Sequence, residues 1–156
     1  MPLPEVWTVD ELVSQALEAL GAQRDRVDTD LPDDMLPVRV DAVQIERVLV
    51  NLLENALKFS PPEARVRVQV TRARGDVVVR VVDDGPGLPE EELERVFEPF
   101  HRGRAHERLG SGLGLAIARG FAEANGGRVC AESRPEEGAT FALALPAVLT
   151  PVGVEA

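Results

Sequence analysis

Apolar residues recur along the chain with two different periods, one typical of helices and the other of strands. The helical period predicts three helices, which cover residues 9–20, 41–59 and 113–125. Ordinary start and stop signals bound them: Thr8 begins a capping box, Asp41 is a helix N-cap, and Gly126-Gly127 closes the third helix. Helices are therefore expected to form one layer of the fold.

Alternation of apolar and polar residues predicts short strands near residues 27–31, 38–40, 65–74, 77–82, 129–133 and 140–145. Gly75-Asp76 predicts a hairpin between two of them. Three main helices covering one face of a mixed sheet of about five strands form a two-layer α/β sandwich, which is the predicted fold class. Residues 9–146 are expected to form the domain, between a linker at 1–8 and a C-terminal tail at 147–156.

The composition excludes several classes of function. The chain has 156 residues, and no uninterrupted apolar run reaches the roughly 18 residues that a membrane helix needs. Its formal net charge of −10 argues against nucleic acid and anionic membranes as partners, so any phosphate site must be built from local groups. The single cysteine, Cys130, fits a reducing cytoplasm, and we expect it to be a small core residue on a strand. A soluble, cytoplasmic domain is therefore expected.

The helix at residues 41–59 carries the first group of candidate functional residues. Six apolar residues form one stripe along it: Ile45, Val48, Leu49, Leu52, Ala56 and Phe59. Asn51, Asn55 and Lys58 follow each other along the edge of that stripe, where a ligand can meet a rigid helix. Lys58 is the only lysine among 17 lysines and arginines, and a flexible point charge suits a phosphate contact. Considered alone, the segment is equally compatible with a solvated helix edge.

Two glycine-rich turns carry the second group. Asp83-Asp84-Gly85-Pro86-Gly87-Leu88 directly follows a predicted strand, and its glycines let the backbone approach a ligand while a carboxylate accepts a hydrogen bond from a ligand amine. Gly110-Ser111-Gly112-Leu113-Gly114-Leu115 opens a helix, where backbone amides form an anion site. Each turn is common on its own, and the second does not match the dinucleotide-binding fingerprint.

The loop between these turns, at about residues 89–111, is a candidate lid, with one short helix expected after Pro89. Its chemistry comes from aromatic residues and arginines: Phe97, Phe100, Arg102, Arg104 and Arg108. The aromatic residues could anchor the lid, and an arginine could reach a phosphate. For most of the arginines, plain solvation is the alternative interpretation.

In this order and spacing, the segments together resemble the signature set of the histidine-kinase ATPase superfamily. The matching segments are its asparagine box (51–60), first glycine box (83–87), phenylalanine box (97–102), second glycine box (110–115) and closing segments (126–127 and 138–141). The resemblance extends over about residues 5–146. It implies an α/β sandwich that holds ATP and Mg²⁺ between helices and a flexible lid.

The resemblance also implies a role for each matching residue. Asn55 is expected to coordinate the magnesium, Asn51 to support that site, and Lys58 to contact phosphate oxygens. Asp83 is expected to accept the adenine amino group, and Arg102 to meet the terminal phosphate. The other expected nucleotide contacts are Phe59, Gly85, Gly87, Leu88, Gly110, Gly112, Leu113, Gly114, Leu115, Thr140 and Phe141.

One position separates the branches of this superfamily. Hydrolytic relatives carry a glutamate one turn before the metal asparagine, whereas this chain has Asn51, and a neutral amide cannot act as a general base. The resemblance therefore implies that ATP is presented to a histidine on a separate dimerising helical hairpin, to which residues 1–8 would be the linker. His101 and His106, the only histidines, lie in the lid. A response regulator would be an indirect partner, and the isolated domain a monomer.

A finer resemblance is to the potassium-responsive, KdpD-type sensor kinases, in which this domain ends a membrane-anchored protein. It rests on Glu5-x-Trp7 and on the segments 48–56, 118–124 and 131–135. Asn125 stands where the family usually has histidine, a departure expected to affect only the helix end. Two alternatives stay open: a nucleotide-sensing module that signals through its lid, and a serine kinase of the anti-sigma branch.

Overall fold

The computed structural model describes residues 4–33, 36–85, 91, 93, 95–98, 114–133 and 138–148. Its helices are α1 (Val9–Leu20), α2 (Ala42–Phe59) and α3 (Gly114–Ala124). Its strands are β1 (Glu5–Thr8), β2 (Val27–Asp30), β3 (Pro37–Val40), β4 (Val66–Ala73), β5 (Asp76–Val82), β6 (Arg128–Ser133) and β7 (Ala139–Pro146). The predicted helices and strands are confirmed to within about one residue at each end.

Local chemistry explains where the two helices nearest the expected site begin and end. At the start of α2, the Asp41 Oδ1 atom accepts a hydrogen bond from the Gln44 N–H at 3.0 Å. At the end of α3, Gly126 adopts a left-handed conformation (φ 80°), and the Gly127 N–H donates to the Ala122 carbonyl at 2.9 Å. This is the Schellman arrangement, and it turns the chain directly into β6.

Five strands form the main sheet, in the order β2-β4-β5-β7-β6. The sheet is mixed, because β2 runs parallel to β4 while the other neighbours are antiparallel. The expected hairpin joins β4 to β5 through Arg74 and Gly75, which both have positive φ (53° and 85°), as in a type I′ turn. The helices and the sheet share one hydrophobic core, which confirms the two-layer α/β sandwich.

A second, smaller sheet lies outside this prediction. β1 pairs antiparallel with β3, so the strand expected at residues 38–40 belongs to this sheet and not to the main one. Residues 1–8 were expected to be a linker, but Glu5–Thr8 within them form β1. At the other end, Ala147 bridges to Val38, so the chain stays attached to the fold just after Pro146.

α2 is the central helix, packed between α1 and α3 and against β4, β5 and β7. The described part of the predicted apolar stripe is buried. Val50, Leu53 and Leu57 are buried too, because neighbouring helices cover the flanks of α2 as well as its inner face. No helix in the described ranges is long and apolar enough to cross a membrane.

Two expectations about single residues are wrong. Cys130 lies on β6 but is exposed and not a core residue, because it is paired with Ala142 on the face of the sheet away from the helices. Asn125 does more than end α3: its Oδ1 atom accepts a hydrogen bond from the Asp41 N–H at 2.8 Å. That bond connects α3 to the start of α2.

Candidate nucleotide site

The described residues of the predicted site lie on α2, on α3 and at the end of the main sheet where β5 ends and β7 begins. The structure describes nine of them there or on the adjoining helices: Asn51, Asn55, Lys58, Asp83, Gly85, Gly114, Leu115, Thr140 and Phe141. The others lie outside the described residues, as does the side chain of Phe59: Gly87, Leu88, Arg102, Gly110, Gly112 and Leu113. Their roles, and most of the proposed lid, stay predictions.

Asp83 follows β5 directly and has no exposed surface. Its Oδ1 atom accepts hydrogen bonds from the N–H groups of Gly85 at 2.8 Å and Ala139 at 3.0 Å. Its Oδ2 atom is buried and has no hydrogen-bond partner among the described residues. One oxygen of the carboxyl group therefore holds the turn, while the other is a buried acceptor.

Burial raises the pKa of the Asp83 carboxyl, and the N–H donors of Ala139 and Gly85 act in the opposite direction. The neighbouring charge of Asp84 adds to the rise. Because folding raises the pKa of Asp83, the domain loses stability as the pH rises from the pKa of this carboxyl in the unfolded chain through its higher pKa in the folded domain. A group retained at such a cost is typical of a functional site.

Two residues outside the predicted set shape the turn at Asp83. The Ser60 hydroxyl, buried at the end of α2, accepts a hydrogen bond from the Asp84 N–H at 3.2 Å. Gly138 has a φ of 80°, and a Cβ atom there would clash with the Asp83 carbonyl and lie 3.1 Å from Oδ1. A serine after a helix and a glycine before a strand are ordinary turn signals, so only the contacts reveal these roles.

Asn55 and Lys58 lie on the C-terminal half of α2. Asn55 is 7% exposed, and its Nδ2 atom has no hydrogen-bond partner among the described residues, whereas Lys58 is exposed. In the described ranges, no cluster of His, Cys, Asp or Glu could hold a metal. Asn55 would supply one amide oxygen to Mg²⁺, an ion that prefers oxygen ligands and keeps several waters and substrate phosphates around it.

Asn51 contacts the second glycine-rich turn: its Nδ2 atom donates to the Gly114 carbonyl at 2.9 Å. Together with Ser60, which holds the first turn, Asn51 connects α2 to both turns. At 1.5 Å per residue, Asn51 and Ser60 are about 13.5 Å apart along the helix. The two turns therefore contact α2 at well-separated points along its C-terminal half.

Apolar residues support the sheet side of the site. Leu115 is buried on the first turn of α3, and Phe141 is fully buried on β7. The Phe141 ring meets Phe97 edge to face, with the ring centroids 6.2 Å apart and the planes at 85°. Thr140 is half-buried and pairs with Val82, the last residue of β5 before Asp83.

Known proteins match both the chain and its fold. Residues 40–149 match the family described as histidine kinase-, DNA gyrase B-, and HSP90-like ATPase. The chain is 36% identical over 152 residues to the sensor protein KdpD of Escherichia coli strain K12, with 96% of this chain and 17% of KdpD covered. Two solved structures are similar. One is the mycobacterial sensor histidine kinase MprB, with 29% identity, a TM-score of 0.80, and 93% of this chain and 98% of that chain covered.

The other is full-length ShkA in complex with AMPPNP, with 25% identity, a TM-score of 0.77, and 94% of this chain and 32% of that chain covered. The chain spans only 16–17% of the length of the KdpD proteins that it matches. The family match, in contrast, covers most of this chain and includes α2, Asp83 and β7. The chain therefore belongs to the histidine kinase-, DNA gyrase B-, and HSP90-like ATPase family, as an ATP-binding catalytic domain of the sensor histidine kinase type.

Proposed function

We propose that this domain binds Mg²⁺-ATP along α2 and presents the terminal phosphate to a histidine on a separate helical hairpin. The Asp83 carboxyl group carries this proposal, because Oδ1 is used by backbone N–H groups while Oδ2 has no partner among the described residues. An unsatisfied buried acceptor costs about 1–3 kcal/mol. Such an acceptor is best explained by a ligand that donates a hydrogen bond to it.

Adenine suits this acceptor. It has an amine at its six position, whereas guanine has a carbonyl oxygen there, which would face Oδ2 as a second acceptor. The geometry of the turn supports the same choice, since the N–H groups of Gly85 and Ala139 hold the Asp83 carboxyl in one orientation. The other residues proposed to surround the base are Phe59, Gly85, Gly87, Leu88, Leu115, Thr140 and Phe141.

The phosphates are proposed to lie towards Asn55 and the start of α3. Asn55 would hold Mg²⁺, which neutralises triphosphate charge in a domain with a net charge of −10. Lys58 and Arg102 would contact phosphate oxygens. The backbone of Gly110, Gly112, Leu113 and Gly114, at the N-terminus of α3, would supply N–H donors to the phosphates.

The surroundings of Asn51 support presentation of ATP over hydrolysis. Its amide donates to the Gly114 carbonyl, and an amide has no proton affinity suited to activating water. Glu54, the nearest carboxylate on α2, is exposed. Phosphoryl transfer needs a nucleophile in line with the leaving oxygen, so we propose that this nucleophile arrives on another segment.

The similarity to KdpD supports a more specific setting. We propose that this is the cytoplasmic catalytic domain of a membrane-anchored, potassium-responsive kinase. Its direct protein partner would be the dimerising hairpin of the same kinase. A response regulator would then receive the phosphate from that hairpin, without binding to the nucleotide site itself.

Competition against a fluorescent ATP analogue tests the nucleotide part of this proposal. With Mg²⁺, ATP is expected to bind about 5- to 150-fold more tightly than GTP, the equivalent of one mismatched buried polar contact. Removal of Mg²⁺ with EDTA should strongly weaken the binding of ATP and have little effect on the binding of adenosine. Equal affinities for ATP and GTP, or binding of ATP that ignores Mg²⁺, would contradict the proposed site.

A further inference from the structure

Asn125 makes a connection that the nucleotide site does not use directly. It follows α3, and its Oδ1 atom accepts from the Asp41 N–H at 2.8 Å. Its Nδ2 atom donates to Gln44 Oε1 at 2.9 Å and to the Phe121 carbonyl at 2.8 Å. One side chain thus satisfies a donor and an acceptor at the first turn of α2 and an acceptor at the last turn of α3.

The opposite end of α3 is attached to α2 by a second amide. The Asn51 Nδ2 atom donates to the carbonyl of Gly114, the first residue of α3. The start of α3 therefore lies beside the middle of α2, and the end of α3 beside the start of α2. The two helices run antiparallel, with one asparagine connection at each end of α3.

These connections add directed hydrogen bonds to the apolar contact of α3, which also includes the partly buried Phe121. The buried residues of α3 are one leucine and two alanines: Leu115, Ala118 and Ala122. The free energy gained by burying apolar surface is not directional. Directed hydrogen bonds, in contrast, define one axial position and one rotation.

We propose that Asn125 is a positioning residue for the triphosphate part of the nucleotide site. It fixes α3 against α2, and the second glycine box continues directly into Gly114 at the other end of α3. The distance between the backbone of Gly114, the first residue of α3, and Asn55 therefore depends on Asn125. This inference rests on the proposed function, in which phosphates bridge Asn55 and the second glycine box.

The chemistry of the position favours asparagine. The side chain must accept one hydrogen bond and donate two, and a primary amide can do both at once. Aspartate keeps the acceptor and loses both donors. Leucine, of similar size, loses all three bonds, whereas neutral histidine offers one donor and one acceptor and can replace two of the three.

The experiment compares Asn125→Leu, Asn125→Asp and Asn125→His with the wild type by calorimetric titration with Mg²⁺-ATP and with adenosine, well below the Tm of each protein. Asn125→Leu and Asn125→Asp are expected to weaken the binding of Mg²⁺-ATP about tenfold, the equivalent of one good contact. The affinity for adenosine should change by less than about threefold. Asn125→His should lie between the leucine variant and the wild type. Glu123→Gln is the matched control, since it breaks only the exposed pair with Arg119 on the same helix.

A purely structural role for Asn125 would lower the Tm without changing the ratio of the Mg²⁺-ATP and adenosine affinities, and that result would overturn the inference. Equal losses for both ligands would overturn it as well. If Asn125→Leu does not fold, the aspartate and histidine variants decide the question in the same way. A wild-type chain that binds neither ligand would refute the proposed function itself, whereas normal binding with an unchanged ratio refutes only the role of Asn125.

Discussion

Replacement of Asp83 by asparagine is expected to separate stability from function. Asparagine has nearly the same shape, and its oxygen can accept the hydrogen bonds from Gly85 and Ala139 that Asp83 Oδ1 accepts now. It removes a fully buried charge, however, and places an amino group where the buried Oδ2 acceptor stands. The variant should therefore be more stable than the wild type and bind ATP more weakly.

The two effects are of similar size, but one raises the stability of the domain and the other weakens its binding of ATP. Removal of the buried charge should raise the free energy of unfolding by about 1–3 kcal/mol at neutral pH, or the Tm by roughly 3–10 °C for a domain of this size, because a neutral amide costs less to bury than a carboxylate. Loss of the acceptor should weaken ATP about 5- to 150-fold and narrow its preference over GTP. Folding raises the pKa of Asp83, so the cost of the ionised form disappears as the pH falls. The difference in stability between variant and wild type should therefore shrink towards pH ~4.

Urea unfolding at neutral pH and near pH ~4, with nucleotide titrations at neutral pH, measures both effects. Asp84→Asn is the matched control, because it makes the same change in charge at the next, exposed residue. It removes only the repulsion that Asp84 adds at Asp83, so it should raise stability much less than Asp83→Asn and leave the ATP affinity unchanged. An Asp83→Asn variant that is less stable than the wild type would refute the role of burial. One that keeps the wild-type preference for ATP would show that Asp83 is only a turn residue.

Three further outcomes are expected. In calorimetric titrations, Asn55→Ala should weaken the binding of Mg²⁺-ATP much more than the binding of adenosine. Equal losses of affinity for the two ligands would place the metal elsewhere. Gly138→Ala should weaken ATP and cost more stability than Gly75→Ala, since both glycines have positive φ but only the Cβ atom at 138 would meet Asp83; the Gly75 variant should lose about 1–2 kcal/mol and keep its ATP affinity. Light scattering over a concentration series should find a monomer, because the large exposed hydrophobic residues of the described ranges lie singly on β1, α2 and α3; a stable dimer would contradict this.

Much of the fold could be predicted because the chain is locally consistent. Periodicity and the cap at Asp41 placed α2, and the turn at Gly75 placed the hairpin, since in each case nearby residues determine the structure. Strand β1 was missed because Glu5–Thr8 is stabilised by pairing with β3, some 30 residues away, which no local pattern encodes. The residue type alone predicts a buried Cys130, whereas the alternation along β6 places it on the same exposed face as Arg128 and Glu132.

The candidate site divides in the same way. The spacing of Asn51 and Asn55 on α2 was visible in the sequence, because one helix carries both residues. The contacts that position the site join segments far apart in the chain: Ser60 with Asp84, Asn51 with Gly114, and Asn125 with the start of α2. Such pairs depend on how helices pack against each other and against the sheet. Sequence spacing therefore predicts candidate site residues but not the residues that contact them.

The most direct test of the central claim is transfer of labelled phosphate from ATP to a separately produced acceptor hairpin. Mixed with Mg²⁺-ATP alone, the chain should gain no label and turn over little ATP. Addition of the hairpin should yield an acid-labile phosphohistidine on the hairpin, and the yield should fall for Asp83→Asn and Asn55→Ala but not for Asp84→Asn. ATP binding without any transfer to the hairpin would indicate a nucleotide sensor, and acid-labile label on His101 or His106 would contradict a nucleophile that arrives on another segment.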